Sequence, residues 1–568
     1  MAMNYQKREW KIIAKLRIKD LKQGREAIIN TLLANRGLKT KEDRKKYFNP
    51  IDPHKLSLKE LGIDRKSVDK TIKRIIKAKK NREKIYIYGD YDADGICGTA
   101  ILWEALYSSG FDVLPYIPER FSEGYGVNTD SVLKLKSQNP NLKLVICIDN
   151  GITAMDQIGE INKMGMDVLI VDHHLKGEKV PKAFGIIHTS KICGAALAWV
   201  LAREILSEIK SDYNVISSLE LAAIGTVADQ MPLIKENRSI VKYGIEKLCR
   251  TKRPGLLALY KESGIIDRSG TIRGDLIAQI NTYEINYVIA PRINAMGRIE
   301  HGIDSLRLLC TKSKQKADEL ASKLGLVNKR RQNIVDEVLN HAKGLINLKN
   351  IVIILSHESY HEGVIGLAAG KLVEEYYRPA IVISKGKEIS KASARSITGF
   401  NIIEAIRTLG DLLEGGGGHS MAAGFSIKTD KIEKFISKFE KVASRILTDE
   451  ILSPKSKIDM EIDFDLIDQE LVDKLKQFEP TGLGNPTPVF LTRKVKVIDP
   501  RLVGRDGKHL KLKLEQDSIV FEGIGFGLGH LIDKLSSENL VDIIYNLEEN
   551  LWNGVNIQLK VKDIKTSN

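Results

Sequence analysis

The sequence is poor in cysteine and in aromatic side chains, and it has no long hydrophobic run. Its 568 residues include five cysteines and only 6% aromatic residues. The cysteines are scattered, odd in number and without a Cys-x-x-Cys pair, which argues against a disulfide framework or a thiolate zinc site and predicts reduced, buried thiols. No stretch approaches the roughly 18 apolar residues of a membrane span, and the charged N-terminus does not match a signal peptide. We therefore expect a cytoplasmic protein with no membrane partner.

Acidic residues are fewer than basic ones. Lys and Arg total 88 against 73 Asp and Glu, which gives a formal net charge of +15. A basic excess suits a polyanionic partner such as nucleic acid, although a lysine-rich composition alone is weak evidence. A chain of this length exceeds a single hydrophobic core, so we expect several domains.

One acidic turn is the most informative stretch. Directly after the apolar residues 85–88, Asp90, Asp92 and Asp94 occupy alternate positions before a glycine. Carboxylates at this spacing repel one another unless a polyvalent cation lies among them. A polar turn that caps the following helix is the alternative. An EF-hand calcium loop is excluded, because no glutamate stands six residues after the glycine and a strand-like run precedes the turn.

Two further apolar runs, residues 144–148 and 168–171, also lead into possible ligands. Strand-like runs separated by helical segments predict a parallel sheet, and the carboxyl ends of its strands meet at one edge. We therefore expect these turns to lie together. A fourth acidic candidate ends the helical run at residues 219–228. The residues concerned are Asp149, Asp172, His173, His174 and Asp229.

These strings resemble the motifs of the DHH phosphoesterase superfamily. The matching strings are Asp-Tyr-Asp-Ala-Asp-Gly from Asp90, Asp-Asn-Gly-Ile from Asp149, Asp-His-His from Asp172 and Gly-Thr-Val-Ala-Asp ending at Asp229. Longer strings at residues 117–126, 291–298, 393–396 and 417–424 resemble the RecJ family of single-strand-specific exonucleases within that superfamily. The resemblance extends from about residue 36 into the C-terminal region.

The expected fold class is α/β. A parallel-sheet DHH catalytic domain and a second α/β domain are joined by a long helix, and a C-terminal β-barrel of the OB-fold type follows. Period-two alternation at residues 510–514 and 555–561 independently predicts barrel strands with one basic face, whose binding should weaken with salt. We expect a helical N-terminal region at 1–80, the DHH catalytic domain at 81–310, a connecting helix at 311–348, a substrate-binding α/β domain at 349–450 and a nucleic-acid-binding OB-fold domain at 451–568.

The ligand types point to two divalent metal ions. Carboxylates with imidazole suit Mn²⁺ or Mg²⁺, and six ligands are enough for two ions. The resemblance implies that Asp90 and Asp92 bind one ion, that Asp94, His173 and Asp229 bind the other, and that Asp149 bridges them.

Two neighbouring residues have expected catalytic roles. By the resemblance, His174 faces the scissile phosphate or the leaving oxygen, and Asp172 orients an imidazole. The expected reaction is attack of an activated water on a phosphodiester, without a covalent protein intermediate.

A second group of residues is expected to contact substrate. Arg120 and Tyr125 lie in a loop that leaves the ligand-bearing edge, although a plain surface turn is the alternative. Glycines 415–418, together with His, Arg and Ser, suit the binding of a terminal phosphate or sugar, and a plain flexible turn is the alternative; a P-loop is disfavoured, because the Gly-Lys-Ser/Thr ending is missing. His361 begins His-Glu-Gly where the family has His-Pro-Gly. The candidates are Arg120, Tyr125, Arg292, Asn294, Arg298, His361, Ser393, Arg395, Ser396, Gly417, Gly418 and His419.

The resemblance implies a metal-dependent exonuclease that degrades single-stranded DNA 5′ to 3′ to 5′-mononucleotides in DNA repair and recombination. It also implies single-strand-binding protein and a helicase as partners, although no residues point to them, and we expect a monomer. Two alternatives stay open: a DHH phosphoesterase of short oligonucleotides, and a catalytically silent nucleic-acid-binding replication accessory.

Overall fold

The computed structural model describes residues 8–14, 24–266, 279–347, 349–504, 506–535, 540–550 and 556–567. Two predicted positions lie outside these ranges, namely Leu348 at the end of the connecting helix and Val555 at the start of an alternating run.

The strands form a large parallel sheet, a mixed sheet, a barrel and one small pair. In chain order they are β1 Glu9–Ile12, β2 Lys84–Gly89, β3 Val113–Tyr116, β4 Leu142–Ile148, β5 Asp167–Asp172, β6 Gly185–His188, β7 Ile353–His357, β8 Ala380–Ser384, β9 Ile389–Arg395, β10 Leu413–His419, β11 Ala422–Lys428, β12 Lys455–Ile458, β13 Met460–Glu461, β14 Phe490–Val503, β15 His509–Gln516, β16 Ile519–Gly525, β17 Leu540–Asn550 and β18 Asn556–Thr566.

Helices surround these sheets. In chain order they are α1 Arg25–Asn35, α2 Lys41–Phe48, α3 Leu58–Leu61, α4 Arg65–Lys80, α5 Ala93–Ser108, α6 Thr129–Gln138, α7 Met155–Lys163, α8 Gly194–Glu208, α9 Leu219–Ala228, α10 Lys235–Leu248, α11 Pro254–Ser263, α12 Ala290–Ile299, α13 Ile303–Cys310, α14 Lys314–Leu345, α15 Ile365–Tyr376, α16 Ile402–Arg407, α17 Ile432–Ser444, α18 Asp449–Leu452 and α19 Gln469–Lys476. A π-helix spans Glu284–Ile289. Among the described residues, no helix combines the length and the apolar character that a membrane crossing requires.

The predicted parallel sheet is confirmed. Its strand order is β3-β2-β4-β5-β6, and every neighbouring pair is parallel. Helices cover both faces, so successive residues of β2 enter different cores: Ile85 and Ile87 pack with α4, α5 and α8, whereas Tyr86 and Tyr88 pack with α6 and α7. The chain runs from β2 to β3 on one side and returns to β4 on the other. In such sheets a crevice opens at this reversal, beyond the carboxyl ends of β2 and β4.

The predicted connecting helix is also present as α14. It has 32 residues, which corresponds to about 48 Å at 1.5 Å per residue. Leu320 and Leu324 in its first half belong to the core of the catalytic domain, whereas Val338 and Leu339 in its second half belong to the core of the second α/β domain. One rigid helix therefore sets the distance between the two domains.

The second sheet has the order β10-β11-β9-β8-β7, with only β7 and β8 parallel. The glycine run at 415–418 is not the flexible turn of the alternative interpretation, because it forms most of the edge strand β10. A Cβ atom on Gly418 would lie 2.3 Å from the carbonyl oxygen of Ala422 on β11. Small residues are thus needed for the close approach of these two strands.

The C-terminal strands close into a five-stranded barrel in the order β14-β15-β16-β18-β17, with β17 returning to β14. The predicted alternation along β15 is confirmed. Leu510, Leu512 and Leu514 are buried in the barrel core, and Lys511 and Lys513 point away from it.

Residues 1–80 differ from the prediction of a single helical region. Strand β1 pairs with β12, and Ile28 and Leu32 of α1 belong to the barrel core. In contrast, Leu61 and Ile72 belong to the core of the catalytic domain. Helical periodicity identifies the buried face of a helix but not the surface that covers it. Here the barrel covers α1, whereas the catalytic domain covers α3 and α4.

A buried arginine joins these units. Arg238 of α10 lies over the ring of Tyr47, with 4.0 Å between the guanidinium carbon and the ring centroid. Its five hydrogen bonds, between 2.7 and 3.1 Å, go to the backbone carbonyl oxygens of Tyr47, Gln477, Phe478, Glu479 and Pro480. Arg238 therefore fixes the N-terminal helices and the loop before the barrel to the catalytic domain.

Candidate metal centre

The acidic turn lies between the end of β2 and the start of α5. Oδ1 of Asp92 accepts hydrogen bonds from the backbone N–H groups of Asp94 at 2.9 Å and Gly95 at 3.0 Å. The alternative interpretation of this turn, a cap on the following helix, is thus correct for Oδ1 of Asp92. Asp94 instead reaches the start of α8, where it accepts hydrogen bonds from the N–H groups of Gly194 at 2.7 Å and Ala195 at 2.9 Å. The helix N-terminus stabilises the negative charge of Asp94.

Asp149 follows β4 at the predicted crevice. Its φ of 63° lies in the left-handed region, which aspartate tolerates better than most residues. Gly194 packs directly against it, and a Cβ atom on Gly194 would lie 2.6 Å from the Cβ atom of Asp149. The small residues at the start of α8 are therefore required for the close approach to the acid cluster.

The two histidines after β5 face different partners. His173 Nε2 lies 3.1 Å from Asp149 Oδ1, 3.6 Å from Asp229 Oδ2 and 3.8 Å from Asp94 Oδ2. His174 Nδ1 lies 2.7 Å from Asp172 Oδ1, and because an ionised carboxylate only accepts, Nδ1 carries the proton. His173 thus belongs to the acid cluster.

The structure contains three groups of possible metal ligands, and the third shares one residue with each of the other two. In each group the ligand atoms lie within 4.8 Å of one another. The first two groups correspond to the ion sites that the resemblance implied, and the assignment of each residue to an ion stays a prediction. The first group is Asp90, Asp92 and Asp149, the second is Asp94, His173 and Asp229, and the third is Asp149, His173 and His174.

Burial and like charge give the cluster unusual electrostatics. Burial, and then the neighbouring carboxylates, raise the pKa values of Asp90 and Asp149 far above the ordinary value. Burial together with Asp94 and Asp92 raises the pKa of Asp229 to about 8. Burial lowers the pKa of His173. The apo cluster is therefore poorly suited to carry its full negative charge without a cation.

Two atoms test whether a metal ion fits this cluster. Asp149 Oδ1 and His173 Nε2 are both buried, and neither has a hydrogen-bond partner among the described residues. Buried polar atoms without partners are costly, and a shared divalent cation would satisfy both. The oxygen-rich donor set with one imidazole suits Mn²⁺ or Mg²⁺.

His174 and Asp172 form a separate pair beside the cluster. Burial alone would raise the pKa of Asp172, but its hydrogen bonds with His174 and with the N–H of Ile152 lower it. Burial alone would lower the pKa of His174, but Asp172 raises it to about 9. His174 Nε2 lies 3.2 Å from the hydroxyl of Tyr125. The imidazole is thus held in one orientation with Nε2 next to Tyr125.

A cavity of about 520 Å³, here called the arginine cavity, adjoins the first ligand group. Arg298 donates to the carbonyl oxygen of Gly363 at 3.4 Å, and Arg395 donates to Ser393 Oγ at 3.2 Å and to Ala394 O at 2.8 Å. Burial, and then the guanidinium groups of Arg120, Arg331 and Arg395, lower the pKa of Arg298 to about 10. Predicted substrate residues in its wall are Arg120, Tyr125, Asn294, Arg298, Ser393 and Arg395, beside Asp90 and Asp92.

Asn294 has a second role. Its Oδ1 accepts a hydrogen bond from the backbone N–H of Ala93 at 2.7 Å. Asn294 therefore supports the acidic turn as well as lining the cavity.

The other predicted substrate residues do not line this cavity. Arg292 pairs with Glu262 at 2.6 Å. Ser396 is buried and donates to the carbonyl oxygen of Phe400 at 2.6 Å, which gives it a structural role. His361 Nδ1 accepts the N–H of Gly363 at 3.0 Å, which shapes the His-Glu-Gly loop. Gly417, Gly418 and His419 are exposed on β10.

Sequence reasoning missed Tyr91. The Arg120 guanidinium carbon lies 5.1 Å from the centroid of this ring, which therefore orients the arginine at the cavity. Tyr91 stands inside the acidic turn, so its position in the motif was the available signal.

Comparison with known families agrees with this geometry. Residues 84–226 match the DHH family, N-terminal domain, residues 348–445 match the DHHA1 domain, and residues 458–563 match the RecJ OB domain. The Bacillus subtilis (strain 168) protein named single-stranded-DNA-specific exonuclease RecJ is 33% identical over 95% of this chain and 68% of its own length. The chain belongs to the RecJ family.

Solved structures of RecJ proteins share the fold. The crystal structure of RecJ in complex with Mn²⁺ from Thermus thermophilus has a TM-score of 0.81 and 26% identity, and the match covers 99% of this chain and 80% of that chain. A crystal structure of exonuclease RecJ bound to manganese has a TM-score of 0.57 and 30% identity over 67% of this chain and 95% of that chain. The expected combination of DHH domain, second α/β domain and OB barrel is confirmed for this RecJ-family chain.

Proposed function

We propose that this RecJ-family chain is a metal-dependent exonuclease that degrades single-stranded DNA 5′ to 3′ to 5′-mononucleotides in DNA repair and recombination. One observation carries the proposal: the acid cluster and the arginine cavity share Asp90 and Asp92 in their walls. A site for cations thus lies directly beside a site for anions. A phosphodiester that spans the two has its terminal phosphate among arginines and its scissile bond beside the acids.

The acid cluster would hold two Mn²⁺ or Mg²⁺ ions. Asp90, Asp92 and Asp149 would bind one ion, and Asp94, His173 and Asp229 would bind the other; Asp149 Oδ1 lies 3.1 Å from Nε2 of His173 in the second group. When bound, such ions lower the pKa of water and polarise phosphoryl oxygens.

The catalytic role of His174 follows from its orientation. Asp172 accepts hydrogen bonds from His174 Nδ1 and from the backbone N–H groups of Ile152 and His174. The ring is therefore fixed with Nε2 beside the Tyr125 hydroxyl. Because Asp172 raises its pKa to about 9, the His174 ring carries a proton on both nitrogens near neutral pH, and Nε2 can donate a hydrogen bond to an oxygen of the scissile phosphate. Asp172 is a positioning residue in this scheme.

The arginine cavity binds the 5′-terminal phosphate. Among the described residues, Arg120, Arg298 and Arg395 form no ion pair with a carboxylate side chain, so their charge is free for a ligand. Bidentate guanidinium contacts to phosphate are strong and directional. Binding one chain end here, rather than any internal phosphate, gives an exonuclease.

The barrel favours a long strand over a short oligonucleotide. A basic outer face on β15 can hold a DNA backbone beyond the reaction site. We keep the proposed division into catalytic residues 81–310, substrate-binding residues 349–450 and DNA-binding residues 451–568. Residues 24–48 are assigned to the barrel unit, because α1 and α2 enter its core.

The test compares products from single-stranded DNA, duplex DNA and RNA in Mn²⁺ and in chelator. We expect mononucleotides from the 5′ end of single-stranded DNA only, and none in chelator. Hydrolysis of a dinucleotide without degradation of long strands would instead assign the short-oligonucleotide activity.

Three further properties are proposed from the family and from composition. They are a monomeric state, a cytoplasmic location and contact with single-strand-binding protein and a helicase. Light scattering, cell fractionation and co-purification from cells test them in turn.

A further inference from the structure

A second cavity of the described chain lies away from the arginine cavity. It has a volume of about 1160 Å³ and lies between the catalytic domain and the barrel; it is here called the interdomain groove. Gln230, the residue after Asp229, lines the groove on the catalytic side. Glu548 and Lys560 line it on the barrel side. The groove therefore leads from the second ligand group to the barrel.

Two exposed tyrosines project from the wall of this groove. Tyr283 precedes the π-helix and Tyr287 lies within it, and both line the groove. Their side chains are 57% and 64% exposed, and their ring centroids lie 4.9 Å apart at an interplanar angle of 37°. Two large rings that contact each other at a tilt but are left open to solvent contribute little to the core. π-Helical turns are rare and are frequent at functional sites.

The π-helix that carries the tyrosine pair contacts the residue after Asp229. Gln230 Nε2 donates to Asn286 Oδ1 at 2.8 Å, and Asn286 lies between the two tyrosines in the π-helix. On the other side, Thr282 Oγ1 donates to the carbonyl oxygen of Thr481 at 2.7 Å. The rings are thus held at a defined place between Asp229 and the loop before the barrel.

The charge of the groove differs from that of the arginine cavity. Lys476 pairs with Glu549, and Lys560 pairs with Glu548 at 2.9 Å. Glu246 and Glu479 also line the groove, so its acidic side chains offset the positive charge of its lysines. The remaining polar lining consists mainly of uncharged amides and hydroxyls, including Asn281, Asn286, Gln477, Thr481 and Thr487. Such a surface suits bases better than phosphates.

We propose that Tyr283 and Tyr287 form a base-stacking platform for the single strand that runs from the metal centre to the barrel. This inference rests on the proposed function and adds residues that bind the bases downstream of the cleaved bond. Aromatic rings bind bases of any sequence by stacking. Because the groove has no excess positive charge, this part of the binding depends on bases and only weakly on salt.

The test uses the full-length protein and two double variants. Tyr283→Ala/Tyr287→Ala removes both rings, and Tyr283→Phe/Tyr287→Phe keeps them. Tyr107→Ala, at an exposed tyrosine outside the groove, is the matched control. The substrates are a long 5′-phosphorylated oligothymidylate, the same strand with abasic sites downstream of its first nucleotides, and a 5′-phosphorylated dinucleotide.

We expect the double alanine variant to raise KM for the long strand about tenfold, as loss of one stacked base does, without a change in kcat. The double phenylalanine variant and Tyr107→Ala should match the wild type. The wild type should bind the abasic strand as weakly as the alanine variant binds the intact strand. On the intact strand, the ratio of the KM of the alanine variant to the KM of the wild type should stay constant as salt is raised.

Two outcomes would overturn the platform. An unchanged KM in the alanine variant means that the pair serves another purpose, such as a protein contact. An equal loss of dinucleotide hydrolysis means that the pair acts through the metal centre. If the wild type hydrolyses none of these substrates with Mn²⁺, the proposed function itself fails, so the two failures are distinguishable.

Discussion

His173 Nε2 lies 3.1 Å from Asp149 Oδ1, and both atoms are buried without a hydrogen-bond partner among the described residues. They come from the ends of two neighbouring parallel strands, β5 and β4. A folded protein rarely leaves two such atoms unpaired at this distance. The pair is understandable if a divalent cation normally lies beside it.

Asp149 is the ligand that we propose the two ion sites share. We predict that Asp149→Asn lowers the number of bound Mn²⁺ ions from two to at most one and reduces turnover at least about 100-fold. Mutation of a residue that only hydrogen-bonds to a metal ligand already lowers activity by up to about 100-fold, and Asp149 is a proposed ligand itself. The metal-free variant should also unfold at a higher temperature than the wild type at neutral pH, because an amide is neutral without having to take up a proton on folding, as the buried Asp149 carboxyl must.

Isothermal titration with Mn²⁺ and thermal unfolding in chelator measure both effects. Asp212→Asn, at an exposed aspartate, is the control and should change neither. Two Mn²⁺ ions bound to Asp149→Asn with full activity would show that Asp149 is not a ligand.

Metal binding should depend on pH in a defined direction. In the metal-free protein the pKa of Asp229 is raised from 3.8 to about 8 by burial and by Asp94 and Asp92. The folded state then binds a proton more tightly than the unfolded state, so this contribution to stability is present below about 3.8 and is lost as pH rises towards about 8. A cation should displace the proton.

We therefore predict that the metal-free protein loses stability between about pH 4 and pH 8, and that Mn²⁺ affinity rises with pH over the same range. Denaturation curves in chelator, and titration calorimetry in buffers of different ionisation enthalpy, check this. Mn²⁺ binding without proton release near pH 7 would contradict it.

Arg395 tests the phosphate site. Arg395→Gln should lower kcat/KM for a 5′-phosphorylated strand about 10- to 100-fold, because a charged hydrogen bond is worth about 1.5–3 kcal/mol. The same variant should act on a 5′-hydroxyl strand almost as the wild type does. Arg445→Gln, at an exposed arginine of the same domain, is the control. An equal loss on both strands would place the 5′-phosphate elsewhere.

The catalytic edge was predictable because parallel strands impose it. Once residues 85–88, 144–148 and 168–171 are taken as neighbouring strands, the side chains after them must meet, whatever the details of packing. The six predicted ligands do lie together. Elements whose structure depends on a neighbouring element from elsewhere in the chain were not predictable in this way. Residues 415–418 form a strand only because β11 lies beside them, and α1 joins the barrel only because the loop before the barrel returns to it.

Single side chains with long-range partners were also beyond sequence reasoning. Arg238 looks like any charged residue of an amphipathic helix, yet its hydrogen-bond partners lie up to 242 positions away in the chain. Tyr283 and Tyr287 have a visible spacing of four residues, but only the groove between two domains explains their exposure. In both cases the missing information is which surfaces meet.

Arg238→Met should loosen the docking of the barrel unit. The change removes five hydrogen bonds to backbone carbonyl oxygens, so we expect the thermal midpoint to fall by about 5–10 °C and the loop before the barrel to become sensitive to protease. Arg250→Met, at an exposed arginine just beyond the same helix, should have no effect. An unchanged midpoint for Arg238→Met would refute this role.

The central claim is that the acid cluster binds two divalent ions. Anomalous diffraction at the manganese edge from crystals soaked in Mn²⁺ tests it most directly. The account predicts two peaks, one among Asp90, Asp92 and Asp149 and one among Asp94, His173 and Asp229. A map without a peak in this cluster, from crystals of protein that degrades single-stranded DNA under the same conditions, would contradict it.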